Sequence, residues 1–179
     1  MRFEDGIWIM TIVSVLFFIT GFLAFHQRNQ AKDHKDETLE LLLEDMNRYI
    51  EHLSSKHPND PRIKRLKRVV DGTKFKALSE DDDDVGYSID KGNIIAVCTE
   101  DGPTNEAIFV LLHELAHVAT EEWGHGDVFW SNFSFLIDAA EKFGWYNPTD
   151  YRKTPGSICG TKIETAPDID YDLVTPPPS

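Results

Sequence analysis

The chain has 179 residues, 41% hydrophobic and 11% aromatic, enough for one ordinary core and too short for two full catalytic domains. Its formal net charge is −13, and setting aside the first 26 residues removes one positive and two negative charges and leaves −12. The remainder is therefore itself acidic, and a field of that sign repels phosphate backbones and argues against a general nucleic-acid surface.

The N-terminal stretch IWIMTIVSVLFFITGFLAF, residues 7–25, carries no charge. At 1.5 Å per residue it has about the length a helix needs to cross a bilayer core of ~30 Å, and it is expected to be a transmembrane helix. A cleaved signal peptide fits less well, because MRFEDG is of mixed charge and FLAFHQRNQ offers no small-residue cleavage site. Arg2 precedes the span whereas Arg28, Lys32 and Lys35 follow it, so the remainder is expected on the cytoplasmic side as a single-pass membrane protein.

Leu39, Leu42, Leu43, Met46, Tyr49, Ile50 and Leu53 share one face at helical spacing and predict an amphipathic packing helix over about residues 36–53. A coiled coil is the weaker reading, since the pattern does not persist over three or four heptads, and the sequence leaves the oligomeric state open. Asp60 and Pro61 supply an N-cap and first position for a second helix, PRIKRLKRVV, with Ile63, Leu66 and Val70 inward. Its other face carries Arg62, Lys64, Arg65, Lys67 and Arg68, with Lys74 and Lys76 beyond; this is either a solvated face or a dock for anionic lipid or nucleic acid. EDDDD at 80–84 predicts an exposed loop.

VGYSI and IIAVCT, separated by Asp90, Lys91, Gly92 and Asn93, predict a β-hairpin. Thr104 or Asn105 can cap the next helix, whose apolar positions are Ile108, Leu111, Leu112, Leu115 and Ala119. Another helix is expected over about 127–143, with Val128, Phe129, Phe133, Leu136 and Ile137 inward and Gly144 as its stop. The two cysteines, Cys98 and Cys159, form no C-x-x-C pair and are expected as separate thiols, although one disulfide between them stays open. The end, VTPPPS, reads as extended or disordered.

The chemistry sits in the first of those two helices. His113-Glu114-Leu115-Ala116-His117 is an H-E-x-x-H motif, and positions four apart on a helix lie one above the other, so both imidazoles can share a metal ion. Glu114 is rotated about 100° from His113, which suits a general base acting on metal-bound water rather than a ligand. A catalytic zinc site needs a third protein ligand and one open position. His125, flanked by Gly124 and Gly126, is favoured for it; Glu121 and Glu122 compete. Tyr146 and Tyr151, in WYNPTDY, are candidate oxyanion stabilisers, although a core or surface role is the commoner one for tyrosine. Structural histidines, or a structural zinc without catalysis, are the alternatives to a catalytic site.

The segment HELAHVATEEWGHGDVFW resembles the WLM and SprT-like zinc metallopeptidases, whose core joins an H-E-x-x-H helix to a later G-H or H with an aromatic pair or Phe close behind. The resemblance covers residues 87–143, about a third of the chain. It implies a compact zincin-like α+β metallopeptidase domain with a small hairpin or sheet. It also implies Zn²⁺ as cofactor, His113, His117 and His125 as ligands, Glu114 as the catalytic glutamate, and Phe129 and Trp130 as packing behind the site. The spacing from His117 to His125 fits neither the tighter loop of WLM members nor the longer one of SprT-like members. Those families are associated with cleaving proteins crosslinked to DNA, so the resemblance leaves nucleic acid open as a partner where net charge argues against it.

The expected organisation is thus a short N-terminal segment (1–6), a transmembrane helix (7–26), a linker (27–35), a zincin-like domain (36–160) and a Pro-rich, flexible tail (161–179). The expected function is a membrane-anchored zinc endopeptidase acting on protein or peptide substrates through Glu114-activated, zinc-bound water. The alternative is a non-catalytic, metal-stabilised binding module that docks its basic helix on anionic lipid or nucleic acid.

Overall fold

The computed structural model describes residues 3–169, with side chains described from residue 15 onward. The expected VTPPPS extension lies outside the described residues. Helix α1 (Phe3–Lys56) is followed by α2 (Pro61–Gly72), strands β1 (Lys74–Leu78), β2 (Gly86–Ile89) and β3 (Ile94–Cys98), helices α3 (Asn105–Ala119) and α4 (Asp127–Phe143), and a small hairpin of β4 (Gly156–Ile158) and β5 (Thr161–Ile163). The chain divides into two units, Met1–His34 and Lys35–Ser179.

The first unit is helical, and its described side chains, residues 15–34, are exposed. Among the described residues no helix is long and apolar enough to cross a membrane. The expected architecture of a domain behind a transmembrane helix is therefore corrected, and the single-pass membrane localisation with its cytoplasmic orientation falls with it. Residues 27–35, expected as a linker, are helical as part of α1.

In the second unit, residues 35–56 of α1 bury Thr38, Leu42, Met46, Tyr49, Ile50 and Leu53. The steps of three and four put these side chains on one stripe. Tyr49 is fully buried, and its hydroxyl donates to the Leu136 carbonyl of α4 at 2.7 Å, which satisfies the phenol's polar end. In α2 the Asp60 carboxylate caps the helix by accepting from the Arg62 amide, and Pro61 stands where a missing N–H costs nothing. Its inward residues are Ile63, Leu66 and Val69; Val70, expected inward, is exposed. Two of its basic residues have internal partners: Arg62 pairs with Asp60 and lies over the Phe135 ring, and Arg65 reaches α3. The basic face left to solvent is correspondingly smaller than its sequence suggests.

The three-stranded sheet has the order β1-β3-β2, with β1 parallel and β2 antiparallel to β3. The central strand β3 buries Ile95, Ala96, Val97 and Cys98 completely, which explains an apolar run with no alternation. β2 is an edge strand, and α3 packs on β2 and β3. Thr104 caps α3, its hydroxyl accepting from the Ala107 amide at 3.2 Å. In α4, Phe129, Phe133, Leu136 and Ile137 are buried, whereas Val128, expected inward, is half exposed. Gly144 ends α4 in the left-handed region, φ 81°, where glycine carries no Cβ penalty.

Cys98 and Cys159 form a disulfide, correcting the expectation of separate thiols. It ties the end of β3 to the β4–β5 turn, where Asp101 also accepts from the Cys159 amide. β5 and the buried Ile163 and Ala166 extend the folded unit past residue 160, the expected start of the tail. With the two cysteines separated by 61 positions, chain-entropy reasoning gives the crosslink about 4 kcal/mol. Thiol reduction is expected to lower stability by up to that amount, read as a fall in urea midpoint; an unchanged midpoint would show that the bond contributes nothing.

Candidate metal centre

The last two turns of α3, the edge strand β2 and the loop between α3 and α4 meet at one cavity of about 300 Å³. His113 and His117 project into it from α3, and residues 120–126 bring His125 back over them. Gly124, φ 84°, makes the turn that returns the chain; Gly126 is in ordinary extended geometry as the N-cap of α4. One nitrogen from each of the three imidazoles lies within 4.8 Å of the others, and the Nε2 atoms of His113 and His125 are 3.1 Å apart.

Zinc–nitrogen bonds of about 2.0–2.1 Å at tetrahedral angles separate two ligand nitrogens by roughly 3.3 Å, so this spacing suits a shared ion. A hydrogen bond between His113 and His125 would explain that pair alone, and would not explain why His117 converges on them. Phe129 packs against all three rings, its ring centroid 4.5 Å from His117, 4.6 Å from His125 and 4.9 Å from His113. Burial, reinforced by the neighbouring imidazoles, pushes His113 down to about 3; burial likewise, with His125 and Lys91, pushes His117 down to about 4. Both rings are thus neutral near pH 7, the form that ligates a metal. The donor set fits zinc.

Glu114 is 5% exposed and lies in the wall of the same cavity. Burial pushes its carboxyl up to about 7, partly offset by a hydrogen bond from Ser88, while Asp84 adds repulsion. A carboxyl poised there can take and return a proton near neutral pH. Gly86 sits where β2 meets α3: a Cβ there would stand 2.4 Å from Val110 Cγ1 and 3.5 Å from Glu114 Oε1, so glycine permits the close approach. The Cys98 amide donates to Val85 O, and antiparallel alternation then leaves the backbone groups of Gly86 and Ser88 on the open edge of β2, beside the cavity.

Of the competing ligands, Glu121 is held by Arg65, whose Nη1 donates to its Oε1 at 2.6 Å. The same arginine donates through Nε and Nη2 to the Ala119 carbonyl, satisfying an open group at the end of α3. Glu122 does not line the cavity. The tyrosine expectation is corrected. Tyr146 and Tyr151 are 4% and 1% exposed and do not line the cavity; Tyr151 packs edge-on against Phe109 at 4.8 Å and accepts from Asn105 at the opposite end of α3. Gly144 turns the chain back toward the start of that helix, where both rings pack on Phe109, about one turn before His113.

Sequence reasoning did not single out Gly86, Ser88, Lys91 or Trp123 for the site. A glycine inside an apolar strand is a signal of close backbone approach and could have pointed to Gly86. The other three are recognisable only once β2 and the loop are seen beside α3.

The fold and site define a mixed helix–strand domain that carries a three-histidine cluster and a buried glutamate beside an open strand edge. The chain is 31% identical over 140 residues to uncharacterized protein 042R of Invertebrate iridescent virus 3, covering 73% of this chain and 87% of that protein. It belongs to the same family as that viral protein. Uncharacterized protein R325 of Acanthamoeba polyphaga mimivirus is 32% identical over 129 residues, 69% of this chain and 62% of R325, so the chain spans less than two thirds of that relative. Uncharacterized protein 136R of Invertebrate iridescent virus 6 is 47% identical over 45 residues, 25% of each. No family model matches the sequence, and no solved structure matches the chain.

Proposed function

We propose that the chain is a zinc-dependent peptidase, with His113, His117 and His125 as metal ligands and Glu114 as general base. The observation that carries this reading is the convergence of three imidazole nitrogens within 4.8 Å beside a buried carboxyl raised to about 7. The resemblance of HELAHVATEEWGHGDVFW to WLM and SprT-like metallopeptidases supports the same assignment. Zinc bound there would supply Lewis acidity, polarising a carbonyl and bringing the pKa of a water to around 7.

Glu114 takes the proton of the attacking water and returns it to the leaving amide nitrogen, both at the same carboxylate oxygens. Ser88 orients that carboxylate by its hydrogen bond. Phe129 packs its ring against all three histidines and adds to the burial of His113 and His117. The open edge of β2 can pair with an extended polypeptide as an added strand, which favours protein or peptide over a small globular ligand.

Metal removal tests the proposal. The full-length protein is expected to hold one zinc per chain and to cleave an unfolded polypeptide, with products read by mass spectrometry. A chelator should abolish cleavage and added zinc should restore it. Absence of zinc uptake, or cleavage that persists after the metal is stripped, would sink the reading.

A further inference from the structure

Lys91 lies at the tip of the β2–β3 turn, among three consecutive left-handed residues: Asp90 at φ 49°, Lys91 at 56° and Gly92 at 97°. Non-glycine residues seldom adopt that conformation, so something must hold the turn in it. The tip is seated on the last turn of α3: a Cβ on Gly92 would stand 2.8 Å from Val118 Cγ2. From this seat the Lys91 ammonium reaches three carbonyl oxygens, those of Glu122 at 2.5 Å, Thr120 at 2.9 Å and His117 at 3.4 Å. It also stands 4.6 Å from the centroid of the Trp123 ring, over its face.

An ammonium has three donors and no acceptor, and here three carbonyls meet it. His117 is the second residue of the histidine cluster, and Thr120 and Glu122 belong to the segment that leaves α3 for His125. The His117 and Thr120 carbonyls also lie at the negative end of the α3 dipole, where a cation is favoured. Other contacts hold the same junction from elsewhere: Thr120 Oγ1 donates to Ala116 O and accepts from Asn132 of α4, and Arg65 holds Ala119 O. Past Thr120, Arg65 donates to the Glu121 carboxylate, and Lys91 reaches the backbone of the returning loop through Glu122 O.

We infer that Lys91 is a positioning residue: from the hairpin tip it locks the loop between α3 and α4 so that His125 meets His113 and His117. The inference rests on reading the three histidines as a metal centre, and it adds that the centre is assembled jointly by the helix and the hairpin. A ligand carried on an exposed loop is held in place by its surroundings, and loss of such an outer partner typically weakens metal binding 10- to 100-fold.

The test uses the full chain as wild type, Lys91→Met, Lys91→Gln and, as an exposed lysine remote from the site, Lys67→Met. Zinc affinity is measured by competition with a chromophoric chelator, the ligand field by the visible spectrum of the cobalt(II)-loaded protein, and the loop by amide exchange over residues 120–126 in metal-free protein. Lys91→Met is expected to lose about 10- to 100-fold in zinc affinity, to weaken the four-coordinate cobalt bands and to exchange faster across the loop, while Lys67→Met matches wild type. Lys91→Gln keeps two donors on a shorter stem and is expected to fall between them; it carries the test if Lys91→Met does not fold. Affinity within twofold of wild type, with unchanged cobalt bands and loop exchange, would overturn the inference and leave the metal centre standing. If wild type itself takes up no metal, the metal-centre reading fails, and amide exchange alone then decides whether Lys91 holds the loop.

Discussion

Glu114→Gln is expected to lower turnover about 10²- to 10⁴-fold, the usual contribution of a positioned acid–base group, while the zinc content stays at that of the wild type. The amide matches the carboxylate in size and can still accept from Ser88, but it cannot take a proton. Retained zinc with lost turnover separates the general base from the ligands; full activity in the variant would refute the assignment.

The same substitution has a stability signature that needs no substrate. Burial raises the Glu114 carboxyl from the ordinary 4.5 to about 7, so the folded state holds its proton more tightly than the unfolded chain does. This contribution to stability is complete below pH 4.5 and is lost as pH rises through 7. At pH 8 the ionised, buried carboxylate costs the metal-free protein up to about 3 kcal/mol. Metal-free Glu114→Gln is therefore expected to be more stable than wild type by up to that amount at pH 8, and to show no gain at pH 4.5, in urea titrations at the two pH values. Equal stability at pH 8 would mean that the carboxyl is not desolvated.

His125→Ala should weaken zinc binding at least about 100-fold, more than the loss of an outer-shell partner, because it removes a direct ligand. His125 is exposed on a loop, so the metal-free variant is expected to keep its stability within about 0.5 kcal/mol of wild type. That combination distinguishes a ligand from a structural histidine. Glu121→Gln is the counter-variant: its carboxylate is engaged by Arg65, and its loss should leave zinc in place. Zinc retained by His125→Ala but lost from Glu121→Gln would reverse the assignment.

Much of the second unit could be read locally. Asp60-Pro61 and Thr104 mark helix starts, Gly144 marks an end, and the turn 90–93 joins two strands, because caps and turns are written in a few adjacent residues. β1 was missed because the alternating lysines of KFKAL follow a basic helix and look like its continuation; its partner is β3, twenty residues on, in a parallel pairing that no local signal announces. The disulfide and the true position of Tyr151 were hidden for the same reason, each depending on which distant segment folds back alongside. The transmembrane helix expected near the N-terminus is corrected by the structure, since among the described residues no helix is long and apolar enough to cross a membrane.

The sequence by itself determined the two-histidine stripe, the adjacent glutamate and the glycine that lets His125 return, because a helix places residues four apart on one face and a left-handed turn calls for glycine. Only the tertiary structure decided which further group completes the cluster, that Glu121 is engaged by Arg65, and that burial lifts the Glu114 carboxyl to about 7. It alone brought Lys91 of the hairpin onto the end of α3. Desolvation and long-range hydrogen bonds depend on what packs against a residue, and that neighbour is supplied by a strand or helix many residues away.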